Sequence, residues 1–182
     1  AMTLVIMGPF EVLLPFAVTE KLGGGADTFA AVLVGFGVGG ALGAIAMGSS
    51  RMPRRYLSVM TLGWGLGSIP LALFGLVDAL WVMMVFAFLI GVAFSVGSVI
   101  CGTLLQRRVP PAMLGRVSSL DFFVSLALMP VSTALAGPLG EAFGYGPVFL
   151  VAGLAPVAFA VIALSAGKML RDEIDHPLDV HN

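Results

Sequence analysis

The sequence predicts an all-α integral membrane protein with six transmembrane helices. Hydrophobic residues fill 59% of the 182 positions and charged residues only 10%, whereas soluble domains average about 45–50% and about 25%. The apolar residues fall into six long segments, each close to the roughly 20 residues that a helix needs to cross a bilayer. This composition excludes a disordered chain, and the net charge of −1 argues against a nucleic-acid-binding protein.

The six segments have boundaries that are good to a few residues. They cover 2–19, 27–49, 56–76, 80–105, 114–137 and 147–168. The first lacks a basic start and carries Glu11, so we interpret it as a membrane helix and not as a signal peptide. The second contains Gly35, Gly39 and Gly43, a spacing that lets membrane helices approach closely and fits static packing or sliding helices.

Glycines continue through the third and fourth segments, and prolines punctuate four of the six. The interior prolines are Pro9, Pro15, Pro70, Pro130 and Pro156. Membrane helices tolerate them because neighbouring helices satisfy the backbone groups that a proline frees. The gaps between the segments contain glycine, proline or a charged residue, as in Gly23-Gly24-Gly25.

The distribution of cations predicts the orientation. Eight of the nine lysines and arginines follow the second, fourth and sixth segments, and Lys21 alone follows the first. Since cytoplasmic loops carry the excess of positive charge, both termini are predicted to be cytoplasmic.

Two acidic residues lie clearly within the segments, Glu11 near the middle of the first and Asp121 near the start of the fifth. An ionisable group in hydrocarbon costs at least about 2.5–3.5 kcal/mol, so each should face a cavity or a partner. Glu11 is suited to carry a proton or to meet a cationic substrate, or it hydrogen-bonds a neighbouring helix. Asp121 is shallow enough to pair with Arg107, Arg108 or Arg116 as a structural latch.

No catalytic or cofactor pattern appears in the sequence. Cys101 is the single cysteine, both histidines lie in the polar tail, and no phosphate-binding loop of the Gly-x-x-x-x-Gly-Lys-Ser/Thr type is present. We therefore predict a protein that is not an enzyme and that holds no metal and no cofactor.

Three stretches resemble the major facilitator superfamily. AMGSSRMPRR at 46–55 is similar to its G-x-x-x-D-R-x-G-R-R loop, with Arg51, Arg54 and Arg55 at the basic positions. LQRRVPPAMLGRV at 105–117 resembles the loop between helices ten and eleven of the drug- and siderophore-exporter branch. GPLGEAFG at 137–144 resembles the turn from helix eleven into helix twelve.

The resemblance implies half of a twelve-helix transporter, whose halves each contain two inverted three-helix repeats around a central cavity. Residues 1–170 would be the C-terminal bundle, helices seven to twelve, and 171–182 a polar cytoplasmic tail. The implied partners are the lipid bilayer, a missing N-terminal six-helix half and a small-molecule substrate, in the plasma membrane, which is the inner membrane of a bacterium.

The same resemblance implies proton-coupled export of small amphipathic molecules by alternating access. Glu11, Phe10 and Phe16 are the candidates for binding substrate and proton. The candidate cytoplasmic gate residues are Arg51, Arg54, Arg55, Arg107, Arg108, Arg116 and Asp121. Two other readings stay open: a lipid or lysophospholipid facilitator with a groove that opens sideways, and a non-transporting six-helix scaffold or partner-binding module.

Overall fold

A computed structural model of the chain describes residues 6, 8–50 and 52–166, and every regular element among them is helical. A π-helical turn, Pro9–Leu13, leads directly into α1, Leu14–Leu22. The remaining helices are α2 (Ala26–Ser49), α3 (Tyr56–Gly67), α4 (Ile69–Phe74), α5 (Leu80–Arg108), α6 (Pro111–Phe143) and α7 (Tyr145–Ala166). The gate candidate Arg51, the cations Lys168 and Arg171, and the predicted tail 171–182 lie outside the described residues.

Five helical stretches are long and apolar enough to cross a membrane. They are α2, the α3–α4 pair taken together as Tyr56–Phe74, α5, α6 and α7. The predicted class of a helical membrane protein is therefore confirmed. The first predicted segment contains the shorter apolar helix Pro9–Thr19, and residues 1–5 and Met7 lie outside the described part of the chain. The count of six crossings stays a prediction.

The fifth predicted segment is longer in the structure, since α6 begins three residues earlier and ends six residues later than 114–137. Pro111 occupies its first turn, where a missing backbone N–H costs nothing. Gly144, at φ 79°, ends the helix in a conformation that favours glycine. Pro130 stays inside α6, as predicted.

The third segment is divided in two at Ser68, between α3 and α4. Pro70 lies in the first turn of α4 and has no N–H to continue the helical ladder. Ser68 is buried, and its Oγ lies 2.7 Å from the carbonyl oxygen of Gly65 and 2.8 Å from that of Gly153. The Ser68 hydroxyl therefore contacts one carbonyl oxygen of α3 and one of α7, and it links these two helices at the break.

Helices α2 and α5 pack with their backbones in close approach. A Cβ atom at Gly35 would lie 2.8 Å from the carbonyl oxygen of Met84, and one at Gly43 would lie 2.8 Å from that of Val92. Since these contacts advance together along both helices, α2 and α5 run parallel. With no space for a methyl group at either position, the glycine spacing serves tight packing in this structure.

The π-helical turn and α1, with the residues that lead into them, are together called the first helix. The first helix and α6 also run parallel. The backbone N–H of Gly8 donates a hydrogen bond of 2.8 Å to Ser132 Oγ, and farther along both helices the side chain of Leu13 packs against Gly140. The buried residues of α6, Ser132, Ala136 and Gly140, all lie in its second half. Every residue from 111 to 131 is exposed or half-buried. The second half of α6 thus anchors this helix to the bundle.

Helices α3, α4 and α7 pack antiparallel. Gly65 lies against the carbonyl of Pro156, and Gly75 lies against Gly146. Residue numbers therefore rise from α3 to the end of α4 while those of their partners in α7 fall. All these directions agree with a chain that reverses at each successive segment.

Candidate substrate-binding and gating sites

The first helix has one packed face and one open face. Its buried apolar side chains are Ile6, Phe10, Leu13, Leu14, Ala17 and Val18. Glu11, Phe16 and Thr19 are exposed. The spacing of the buried set is that of one helical stripe, and Glu11 and Phe16 both lie outside that stripe.

The π-helical turn around Glu11 has a cause in the sequence. Pro15 has no backbone N–H, so the carbonyl of Glu11, four residues earlier, has no α-helical donor. One turn later, the Thr19 hydroxyl donates a 2.9 Å hydrogen bond to the Pro15 carbonyl. Single π-helical turns are frequent at functional sites. Sequence reasoning noted Pro9 and Pro15 but missed the π turn, for which Pro15 was the available signal.

Glu11 lies about half a membrane thickness from the end of α1. Eleven residues separate it from Leu22, which is about 16 Å of helix and about half of the roughly 30 Å hydrocarbon core. The Glu11 side chain is exposed in the structure. The position therefore suits a group that meets protons or a substrate in a cavity.

The two predicted aromatic candidates are placed apart. Phe16 is 54% exposed and stacks on Tyr145 of α7, with ring centroids 6.1 Å apart and an interplanar angle of 12°. Phe10 is buried and packs against Phe36 of α2, with centroids 5.0 Å apart. The structure thus leaves Phe16 exposed in contact with Tyr145 and turns Phe10 into the helix bundle.

A separate apolar groove of about 180 Å³ opens between the π-helical turn, α6 and α7. Its lining is Pro9, Ser132, Leu135, Ala136, Leu139, Val148, Val151 and Ala152. Ser132 is the polar member, and its hydroxyl accepts the bond from Gly8. The groove is therefore suited to apolar chains and offers no charge.

The predicted gate cations gather at one end of α3 and α5. Arg54 and Arg55 lie in the turn before α3, and Arg107 and Arg108 form the last turn of α5. All four are exposed. The Arg108 guanidinium donates a hydrogen bond to the Tyr56 hydroxyl, which draws the two basic stretches together. Cations at the end of α5 also complement the negative end of the helix dipole.

Arg116 and Asp121 lie on the exposed first half of α6. Asp121 lies within electrostatic range of Cys101 on α5. Its predicted role as a latch for the arginines stays a prediction. Within the described ranges, no group of three or more His, Cys, Asp or Glu residues could hold a metal ion.

Comparison with known proteins identifies the fold to which these helices belong. The family model of the Major Facilitator Superfamily matches residues 1–178. The chain belongs to this superfamily. It is also similar to a multidrug efflux pump, Tap, of Mycolicibacterium fortuitum, with 28% identity over 138 residues. That match covers 73% of this chain and 32% of the relative, so it extends over about a third of the relative's length. No solved structure matches the chain significantly.

Membership in the Major Facilitator Superfamily supports a membrane transporter over the scaffold reading. It agrees with the apolar helices and with the basic stretch at 46–55 that carried the resemblance.

Proposed function

We propose that this chain is the C-terminal half of a proton-coupled exporter of small amphipathic molecules. The observation that carries the proposal is the carboxylate of Glu11, which lies exposed on a π-helical turn of an apolar helix. Phe16, farther along the same helix, adds stacked aromatic surface with Tyr145, and aromatic rings attract cations as well as apolar groups. The relative that is named as a multidrug efflux pump supports export.

The pattern of helix contacts supports a six-helix half built from two inverted repeats. Inverted repeats would relate the first helix to α5, α2 to α6, and the α3–α4 pair to α7. The pair formed by the first helix and α6 therefore corresponds to the pair formed by α5 and α2. Both pairs are observed, and both run parallel. The α3–α7 pair maps onto itself, and the α3–α5 contact maps onto the observed contact between α7 and the π-helical turn. This is the relation that inverted repeats require.

The exposed first half of α6 supports a second half of the transporter as partner. It carries large apolar side chains on all sides, among them Leu120, Phe122, Phe123 and Leu126. Lipid covers one side of a helix at the edge of a bundle, so a helix open all round has a face left for other protein. In the proposal, the arginines at 54, 55, 107, 108 and 116 and Asp121 line the cytoplasmic edge of that contact and act as gate residues.

The decisive experiment measures drug-cation export driven by an imposed pH gradient in proteoliposomes that contain the full-length protein. Glu11→Gln removes the titratable group while it preserves shape, so coupled transport should be lost. Glu11→Asp should keep part of it. Asp27→Asn is the matched control, since Asp27 lies exposed in the first turn of α2 and should leave transport unchanged. Unchanged pH-driven transport by Glu11→Gln would contradict a proton-carrying role.

A second candidate function is a lipid or lysophospholipid facilitator. The apolar groove between the π-helical turn, α6 and α7 favours it, because the groove accepts an acyl chain and has no charge. Ala152→Phe fills the groove, and Leu150→Phe, exposed on the same helix outside the lining, is the control. Loss of lysophospholipid transfer in Ala152→Phe alone, with Glu11→Gln still active, would favour the facilitator over the exporter.

A further inference from the structure

Tyr56 is the first residue of α3 and is fully buried, at 0% exposure. It directly follows the basic turn Pro53–Arg54–Arg55. A tyrosine at the end of a membrane helix ordinarily keeps its hydroxyl near water. The burial of this ring therefore requires a partner for its phenol oxygen.

Arg108, in the last turn of α5, supplies that partner in two ways. Its guanidinium donates a hydrogen bond to the Tyr56 hydroxyl, and its Cζ lies 5.3 Å from the centroid of the Tyr56 ring. A planar guanidinium can contact a ring and donate a directed hydrogen bond at the same time, which a lysine ammonium does less well. The contact joins two helix ends that are 52 positions apart in the chain.

We propose that Tyr56 and Arg108 form a positioning clasp, which holds the basic turn against the end of α5 so that α3 and α5 move together during transport. The inference rests on the proposed transport function. It replaces the gate role given to Arg108 above with a constant partner within this half, since a gate cation would exchange partners with the opposite half in each cycle.

The rest of the α3–α5 contact supports movement as one body. Trp64 of α3 packs its indole against Gly97, and its Nε1–H donates a 3.3 Å hydrogen bond to the Phe94 carbonyl. The helices run antiparallel, so the Trp64 contact lies deeper in the bundle and the clasp lies at the end. The two contacts lie at separate levels along the helices, so together they resist rotation of one helix about the other, and the clasp holds the helix ends together.

The first test is a double-mutant cycle on the thermal unfolding midpoint of the purified full-length protein. Tyr56→Phe removes the acceptor and keeps the ring, and Arg108→Gln removes the charge. Each should lower the midpoint, and the double variant should fall by less than the sum because both changes break one contact. Gln106→Ala, exposed in the same turn, should add independently to Tyr56→Phe. Additive effects of Tyr56→Phe and Arg108→Gln would overturn the clasp.

The second test measures transport per folded protein in proteoliposomes. Arg108→Gln should lower the maximal rate several-fold with an unchanged KM, because the substrate face around Glu11 lies on another helix. Arg108→Lys should restore part of the rate, since it returns the cation. A non-additive double-mutant cycle together with an unchanged transport rate in Arg108→Gln would overturn the positioning role and leave a purely structural contact. Absence of transport by the unmodified protein would overturn the proposed function, while the unfolding cycle would still decide whether the clasp exists.

Discussion

The backbone N–H of Gly8 donates a hydrogen bond of 2.8 Å to Ser132 Oγ, across 124 positions of the chain. Gly8 precedes the π-helical turn that presents Glu11, and Ser132 is the first buried residue of α6 after its long exposed stretch. A single bond thus joins the element that carries the candidate proton site to the point where α6 becomes anchored.

Loss of the Gly8–Ser132 bond should destabilise the protein. Ser132→Ala leaves the Gly8 amide without this acceptor in a buried place, which costs about 1–3 kcal/mol. Gly8→Ala should cost more, because its Cβ would collide with both the side chain and the backbone of Ser132. Heat- or denaturant-induced unfolding of the full-length protein in detergent measures the stability of both variants. Gly137→Ala is the control, since nothing lies within 4 Å of a Cβ there. Equal stability of Gly8→Ala and Gly137→Ala would refute this packing.

The α2–α5 interface offers a matched pair of glycines two residues apart. Gly39→Ala places a methyl group against the Phe88 backbone and should lower the unfolding midpoint. Gly37→Ala meets nothing within 4 Å, so it should be neutral or stabilise by up to about 1 kcal/mol through helix propensity. The same unfolding measurement compares them. A sliding interface with spare room would instead tolerate both substitutions equally.

The stacked pair Phe16 and Tyr145 should contribute to substrate affinity. Phe16→Ala removes exposed aromatic surface five residues along the helix from Glu11 and should raise the KM for an aromatic cation several-fold, with a smaller effect on the maximal rate. Tyr145→Phe keeps the ring and should resemble the unmodified protein, whereas Tyr145→Ala should resemble Phe16→Ala. Export assays over a range of substrate concentrations provide the values. Unchanged KM in both alanine variants would remove these rings from the substrate site.

The predicted orientation is testable by labelling single cysteines in intact cells. In a Cys101→Ala background, Gly25→Cys lies between α1 and α2, where a Cβ meets nothing within 4 Å, and Ser50→Cys lies exposed after α2. A membrane-impermeant maleimide should label Gly25→Cys directly and Ser50→Cys only after permeabilisation. The reverse pattern would invert the topology, and labelling of both in intact cells would show that α2 does not separate the two sides.

Local properties of the sequence were enough to predict the class of this protein and its long helices. Hydropathy and length are local properties, so α2, α5, α6 and α7 were predicted within a few residues of most of their ends. Gly23 and Gly144, which follow two helices with a positive φ of 58° and 79°, were both placed between segments. Those segments were predicted to end at 19 and 137, whereas the helices reach Leu22 and Phe143. The short motif stretches indicated the superfamily that the family model then confirmed.

The packed face of each helix, by contrast, is visible only once the helices are assembled. Phe10 and Phe16 are the same residue type six positions apart, yet one is buried and the other is exposed. In a membrane protein both lipid and neighbouring helices are apolar, so hydrophobic periodicity does not separate the two faces as it does in water. The π-helical turn at Glu11 had Pro15 as a local signal, but the Tyr56–Arg108 contact depends on the rotation and approach of whole helices. Those are set by backbone contacts at small residues between segments far apart in the chain, and no local pattern contains them.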